Sequence, residues 1–190
     1  MPFTWRVGVL GSTLCEARPL LLMKTIIVGL GNPILGDDGV GWRVAEEVKK
    51  QLGSPSPRLP HPSPAGRGAG GESEITVDFL SLGGISLMEH LIGYERAIII
   101  DALASDQPTG SVIVSKLSEL PNFSALHTTS AHDTSLQNAF KLGKTMGANL
   151  PEEVIIVGIT TDHVYDFSEE LSPLVAEAIP QATKIVIDLL

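Results

Sequence analysis

The chain has little of several residue types, and each shortage excludes a class of protein. Only one of its 190 residues is a cysteine, so a disulfide framework within the chain is excluded. Lys and Arg number 13 against 22 Asp and Glu, and the resulting formal charge of −9 has the wrong sign for binding nucleic-acid phosphates. No run approaches the roughly 20 apolar residues that span a bilayer. These shortages predict a cytoplasmic protein that has no nucleic-acid or membrane partner.

The rest of the composition suits a single compact domain, since 43% of the residues are hydrophobic. Residues 1–22 are predicted to be an extension outside the fold, because polar residues break their apolar run and no signal-peptide cleavage site follows. Residues 53–73 begin GSPSPRLPHPSPAGRGAGG and are predicted to be a disordered insertion, in which His61 is inert. We therefore expect one α/β domain over residues 23–190, interrupted by that insertion.

Apolar segments alternate with helical patterns along this domain. Apolar runs such as RAIIID suit strands that are covered on both faces of a parallel sheet. The fourth predicted strand follows the third too soon for a crossover helix, which favours an antiparallel edge. Strands are predicted at 24–29, 74–80, 96–101, 110–117 and 153–159, and helices at 40–52, after Gly84, at about 134–146 and in the tail, where the helix is interrupted or restarted near Pro180. The predicted fold is a three-layer α/β sandwich with a mainly parallel, roughly five-stranded twisted sheet flanked by helices.

A glycine-rich loop, VGLGNPILGDDGVG at residues 28–41, joins the first strand to the first helix. It is not a dinucleotide fingerprint, because Ile34 replaces the third glycine. It is not a phosphate-binding P-loop either, because Asp37 occupies the position of the lysine. The adjacent carboxylates of Asp37 and Asp38 would repel a phosphate at a helix start. Two interpretations stay open: the pair caps the helix, or the loop binds a cation.

Two further residues fit a cation site at the carboxyl edge of the predicted sheet, where ligands bind in such folds. Asp101 ends the third strand, and it would approach the loop if strands one and three were neighbours. His132, in TTSAHD, precedes a helix and could reach the same edge. Two carboxylates and one imidazole suit a divalent transition metal, although a turn aspartate and a solvated histidine are the simpler alternatives. The competing donors are His90, His127, Asp133 and His163.

The segments IIVGLGNPILGDDGVGWRV, IIIDAL, TSAHD and VGI together resemble the hydrogenase maturation proteases, and DFSEELSPLVAEAIP is similar to the C-terminal region of that family. The resemblance covers residues 24–190 apart from the insertion. It implies an endopeptidase, a hydrolase, that removes a C-terminal peptide from the large-subunit precursor of a nickel-iron hydrogenase after nickel insertion.

The same resemblance implies which residues form the site. Asp38, Asp101 and His132 match the metal-contacting and catalytic positions of the family. Asp38 is preferred over Asp37 because the family's ligand is the second of the two adjacent acids. Nickel is implied as a feature of the precursor that the enzyme recognises, and another divalent metal could bind the isolated protein.

Two other functions fit parts of the sequence. A non-catalytic chaperone that senses nickel in a client protein would use the same three ligands. A peptidyl-tRNA hydrolase would share the opening VGLGNP, but those enzymes continue into a segment that carries a catalytic histidine. The corresponding stretch here, LGDDGVG, has no histidine, and the acidic charge disfavours tRNA.

Overall fold

The computed structural model describes residues 23–53, 74–120, 135–162 and 167–190. Residues 1–22 and all but the first residue of the predicted insertion lie outside these ranges. The elements in chain order are β1 (Thr25–Leu30), a short 3₁₀ turn (Gly36–Gly39), α1 (Val40–Gln51), β2 (Ile75–Leu80), α2 (Gly84–His90), β3 (Arg96–Leu103), β4 (Val112–Lys116), α3 (Leu136–Thr145), β5 (Glu153–Thr160) and α4 (Pro173–Asp188). No helix within the described ranges is long and apolar enough to cross a membrane.

The five strands form one sheet in the order β2-β1-β3-β5-β4. β1, β2, β3 and β5 run parallel, whereas β4 pairs antiparallel with β5 at one edge. Strands one and three are neighbours, which was the condition for Asp101 to approach the loop, and the antiparallel edge that the sequence favoured is confirmed. The register pairs Gly29 with Ile100, which sets Asp101 level with the end of β1.

Helices cover both faces of the sheet, which confirms the predicted three-layer sandwich. α1 and α4 lie on one face, and α2 and α3 lie on the other. Side chains alternate between the two faces along each strand, so one strand supplies both cores. The α1/α4 core includes Ile27, Val44, Ile98, Ile100, Val157 and Val186, and the α2/α3 core includes Ile26, Val28, Leu87, Ile99, Leu136 and Phe140.

Gly41 lets α1 lie directly against the sheet. A Cβ at this position would stand 2.3 Å from the carbonyl oxygen of Leu30 and 2.4 Å from that of Ile100. Both atoms are backbone and cannot rotate away. The glycine therefore allows the first turn of α1 to approach the carboxyl ends of β1 and β3, which is where the polar loops converge.

The predicted break in the last helix is wrong. α4 runs without interruption from Pro173 to Asp188 with Pro180 inside it. A proline within a helix costs roughly 3 kcal/mol because it removes one hydrogen bond and crowds the preceding turn. Pro180 faces solvent, while buried apolar residues before and after it keep both halves of α4 packed on the same face of the sheet. This packing holds the helix together across the proline.

The insertion joins the fold at the edge opposite the predicted site. α1 starts at the carboxyl end of β1 and runs back along the sheet to Gln51. The chain re-enters at Glu74, whose carbonyl accepts a hydrogen bond from the N–H of Thr25 at the start of β1 (3.0 Å). Both attachment points therefore lie at the amino edge of the sheet.

Candidate active site

The 3₁₀ turn carries both adjacent aspartates into the interior above the carboxyl edge of the sheet. All four of its residues are buried, and it packs against β3. Asp37 is 2% exposed and Asp38 is 1% exposed, which is far less than carboxylates usually are. Such burial requires partners for the carboxyl oxygens, and the two residues find theirs in different places.

Asp38 is held by the loop that precedes it. Its Oδ2 accepts a hydrogen bond from the N–H of Asn32 (2.6 Å), and its own N–H donates to the carbonyl of Leu35 (3.2 Å). Gly31, with a φ of +120°, allows this close approach, since a Cβ there would stand 1.8 Å from the carbonyl oxygen of Asp38. The glycine pattern of the loop therefore serves to fold the chain tightly around Asp38.

Asp101 lies on β3 beneath the turn and is fully buried. Its Oδ1 accepts a hydrogen bond from the N–H of Ala102 (2.9 Å). Because strand side chains alternate, Asp101 belongs with Ala97 and Ile99 to the face covered by α2 and α3. The third strand was predicted to end at Asp101, but it continues to Leu103. Asp101 therefore lies two residues before the end of β3.

The electrostatics show that Asp38 and Asp101 are neighbours. Burial raises the pKa of Asp101 well above its usual range, and the nearby Asp38 carboxylate raises this pKa further, while the hydrogen bond from Ala102 opposes both effects. The structure thus brings together the two aspartates that the sequence places 63 positions apart. Two desolvated carboxyl groups that repel each other form a pair that a cation would stabilise.

Asp37 points away from this pair and binds the region after β5. Its Oδ2 accepts hydrogen bonds from the hydroxyls of Thr161 (2.7 Å) and Ser172 (2.8 Å), and its Oδ1 accepts one from the N–H of Ser172 (2.6 Å). Ser172 is the N-cap residue of α4. The interpretation that the pair caps α1 is wrong, because α1 begins without a side-chain cap hydrogen bond. Asp37 instead binds the residue at the start of α4. Cation binding by Asp38 stays a prediction.

Of the candidate histidine ligands, the structure describes only His90. His127, His132 and His163, like Asp133, lie outside the described residues. His90 lies within them and contacts Asp78 of β2 (Nε2 to Oδ2, 2.9 Å), so it is bound on the edge strand and not at Asp101. In the described part of the chain there is no group of three or more His, Cys, Asp or Glu side chains that could hold a metal ion.

Sequence reasoning missed three residues around the site: Asn32, Thr161 and Ser172. Asn32 lies in the GLGNP segment of the loop. It holds Asp38 through its backbone N–H, which any residue except proline provides, so the residue type does not indicate this contact. Thr161 follows the VGI segment, and Ser172 precedes Pro173, which is a frequent arrangement at a helix start. The sequence therefore indicates a helix start at Ser172. It does not indicate the hydrogen bonds between Ser172 and Asp37, which lies 135 positions earlier.

The chemistry of this arrangement depends on the carboxyl oxygens of two neighbouring side chains. Asp38 and Asp101 offer carboxylate oxygens that divalent metals accept as ligands, and their surroundings keep both side chains oriented. Two protein ligands also leave coordination positions open for other groups.

Comparisons with known proteins give a consistent family. A family model for HycI, described as hydrogenase maturation protease, matches residues 74–189, more than half of the chain. Asp101 lies inside the matched range, and the loop with Asp38 lies before it. The hydrogenase expression/formation protein HoxM of Azotobacter vinelandii is 24% identical over 165 residues, which cover 87% of this chain and 71% of that protein.

Solved structures share the fold over nearly the same length. The hydrogenase maturating endopeptidase HybD from E. coli aligns with a TM-score of 0.60 at 20% identity and covers 88% of this chain and 91% of its own. A hydrogenase 2 maturation peptidase from Thaumarchaeota archaeon SCGC_AB-539-E09 aligns with a TM-score of 0.54 at 27% identity and covers 87% and 97%.

Proposed function

The chain belongs to the hydrogenase maturation protease family, and we propose that it is the endopeptidase that removes a C-terminal peptide from the large-subunit precursor of a nickel-iron hydrogenase. Cleavage follows insertion of nickel into the precursor, and the inserted nickel is the feature that the enzyme recognises. Nickel is thus part of the substrate. The reaction takes place in the cytoplasm.

The observation that carries this proposal is the buried pair of Asp38 and Asp101. Two desolvated carboxyl groups that repel each other do not stabilise a fold, so the burial of this pair favours a functional role. A divalent cation brought in by the precursor would offset the repulsion. This electrostatic gain would be available only to a precursor that already holds its metal.

In this proposal Asp38, Asp101 and His132 contact the nickel and place the scissile peptide bond beside it. Support for His132 comes from its position three residues before Ser135, the N-cap of α3. Leu136, the first residue of α3, packs in the same apolar core as Leu30 and Ile99, on the face to which Asp101 belongs. When bound, the metal supplies Lewis-acid polarisation of the scissile carbonyl or of a nearby water.

The test is trimming of a precursor followed by intact-mass spectrometry. Wild type is incubated with nickel-loaded and nickel-free precursor, and Asp38→Asn and His132→Ala are incubated with the nickel-loaded form. Asp38→Asn keeps an acceptor for the N–H of Asn32 while it removes the charge. Asp106→Asn, at an exposed position, is the matched control.

We expect trimming of the nickel-loaded precursor by wild type and Asp106→Asn, and a loss of at least about 100-fold in Asp38→Asn, the size expected when a principal catalytic group is removed. Nickel-dependent association of the wild type without trimming would support the nickel-sensing chaperone instead. Trimming that depends neither on nickel nor on Asp38 would show that the site is wrongly assigned.

A further inference from the structure

We propose that Asp37 is a positioning residue that sets where the Asp38 carboxylate stands relative to Asp101. This inference rests on the proposed function, because it assigns Asp37 an effect on the cleavage reaction. The carboxyl group of Asp37 bonds to Thr161 and Ser172 rather than to Asp101. It acts through the backbone of the turn that it shares with Asp38.

The contacts of Asp37 use both of its carboxyl oxygens on the far side of the turn. Three donors converge on them at 2.6 to 2.8 Å, one from Thr161 and two from Ser172. Thr161 follows β5 and is 3% exposed, so this hydrogen bond is shielded from solvent. The negative charge of Asp37 also lies at the N-terminus of α4, where the helix dipole favours it. Asp37 is therefore fixed firmly to the β5–α4 side of the site.

Asp38, the next residue, is fixed to the opposite side of the turn. Its carboxylate accepts a hydrogen bond from the N–H of Asn32, which lies two residues after the end of β1. The turn consequently spans the carboxyl ends of β1, β3 and β5, and it is tied at both sides while Asp101 of β3 lies beneath. Opposed ties on consecutive residues leave the backbone between them little freedom to translate across the sheet.

Glycines on either side of the two aspartates make these ties necessary. Gly36 adopts a φ of +55° and Gly39 begins the transition into α1, so neither supplies a side chain that could hold the turn. One other link to this region is a backbone ladder in which the N–H of Gly36 donates to the carbonyl of Ser168 (2.6 Å). That ladder holds the entrance of the turn, and Asp37 holds the part adjacent to Asp38.

The experiment compares Asp37→Ala and Asp37→Asn with Arg96→Met. The asparagine keeps the shape of the side chain and an acceptor for the N–H of Ser172. Arg96 is a buried structural residue at the amino edge of the sheet, where it binds Glu153 and the carbonyl of Leu189, so its variant controls for loss of stability alone. Two quantities are measured on folded protein: kcat/KM for nickel-loaded precursor, and hydrogen exchange of the Asn32 amide.

We expect Asp37→Ala to lower kcat/KM by about 10- to 100-fold, because displacement of a site residue by about 1 Å has effects of this size. Asp37→Asn should recover most of the lost rate, and Arg96→Met should cleave like wild type. The Asn32 amide should exchange faster in Asp37→Ala than in Arg96→Met, since its bond to Asp38 is the one that the displacement breaks.

The exchange measurement also works without protease activity, and so separates the two proposals. If the wild type fails to trim the precursor, the proposed function fails, while faster exchange in Asp37→Ala still supports positioning by Asp37. If Asp37→Ala keeps wild-type kcat/KM and wild-type exchange at Asn32, or if Arg96→Met loses as much of both, Asp37 has only a structural role and the inference is overturned.

Discussion

Replacing Asp101 with asparagine should stabilise the protein while it abolishes cleavage. The side chain is fully buried, and its pKa is raised by burial and by the Asp38 carboxylate. The unfolded chain releases the Asp101 proton near pH 3.9, whereas the folded chain retains it to a higher pH. Folding therefore becomes less favourable as the pH rises from about 4 towards the raised pKa, because over that range the folded state binds more protons than the unfolded state.

The magnitude follows from what the substitution keeps and what it removes. Asparagine retains the Oδ1 that accepts the N–H of Ala102, a hydrogen bond worth about 0.5–1.5 kcal/mol, so this bond is not lost. The amide group in place of Oδ2 carries no charge and removes the repulsion with Asp38. Single stabilising substitutions commonly add about 0.5–2 kcal/mol, and we expect about 1–2 kcal/mol here. In a chain of this size that gain raises Tm by roughly 2–8 °C.

The assay is thermal unfolding of metal-free protein between pH 4 and pH 8, with Asp106→Asn as an exposed control. The gain in Tm for Asp101→Asn should be largest near neutral pH and should shrink towards pH 4, where the unfolded chain also holds the proton. The control should change the free energy of unfolding by less than about 0.5 kcal/mol. A variant that melts below wild type at pH 7, or whose gain does not change with pH, would refute the account of a repelling buried pair.

Two further predictions concern the framework that holds the site. Gly41→Ala should lower the free energy of unfolding by about 1–3 kcal/mol, because its Cβ would stand 2.3 and 2.4 Å from backbone carbonyl oxygens of β1 and β3, and an unchanged urea midpoint would contradict this packing. Arg96→Met should cost about 2 kcal/mol, since the buried guanidinium bonds to Glu153 and to the last turn of the chain. Lys184→Met, which removes an exposed ion pair within α4, should cost at most about 0.5 kcal/mol, and equal losses in the two variants would contradict the assigned role of Arg96.

Much of the fold could be predicted because local pattern and tertiary packing agree. The apolar run of β3 indicated a strand covered on both faces, and the short connection before β4 indicated the antiparallel edge. The helix containing Pro180 was predicted wrongly because proline usually interrupts a helix. The packing of α4 against the sheet outweighs this local preference. A local rule cannot weigh a contact with residues that are distant in sequence.

The candidate site shows the same division at the level of single residues. The pair Asp37 and Asp38 was identified from its place in the loop after the first predicted strand, and Asp101 from its place at the end of the third, since parallel strands carry their loops to a shared edge. The different contacts of Asp37 and Asp38 could not be predicted from the sequence. The two residues are identical and adjacent, and only the folded structure shows their hydrogen-bond partners. The family resemblance favoured Asp38, and the roles of Asp38, Asp101 and His132 in cleavage stay predictions.

The sequence by itself determined the α/β class, the strand and helix pattern, and a polar edge rich in carboxylates, because these depend on periodicity and on residues that are close along the chain. The tertiary structure decided that Asp38 faces Asp101 while Asp37 binds Thr161 and Ser172. That outcome depends on the order of the strands and on the way the 3₁₀ turn crosses their ends. Burial then gave the two carboxylates of the pair their mutual repulsion, an effect that water would screen in the unfolded chain.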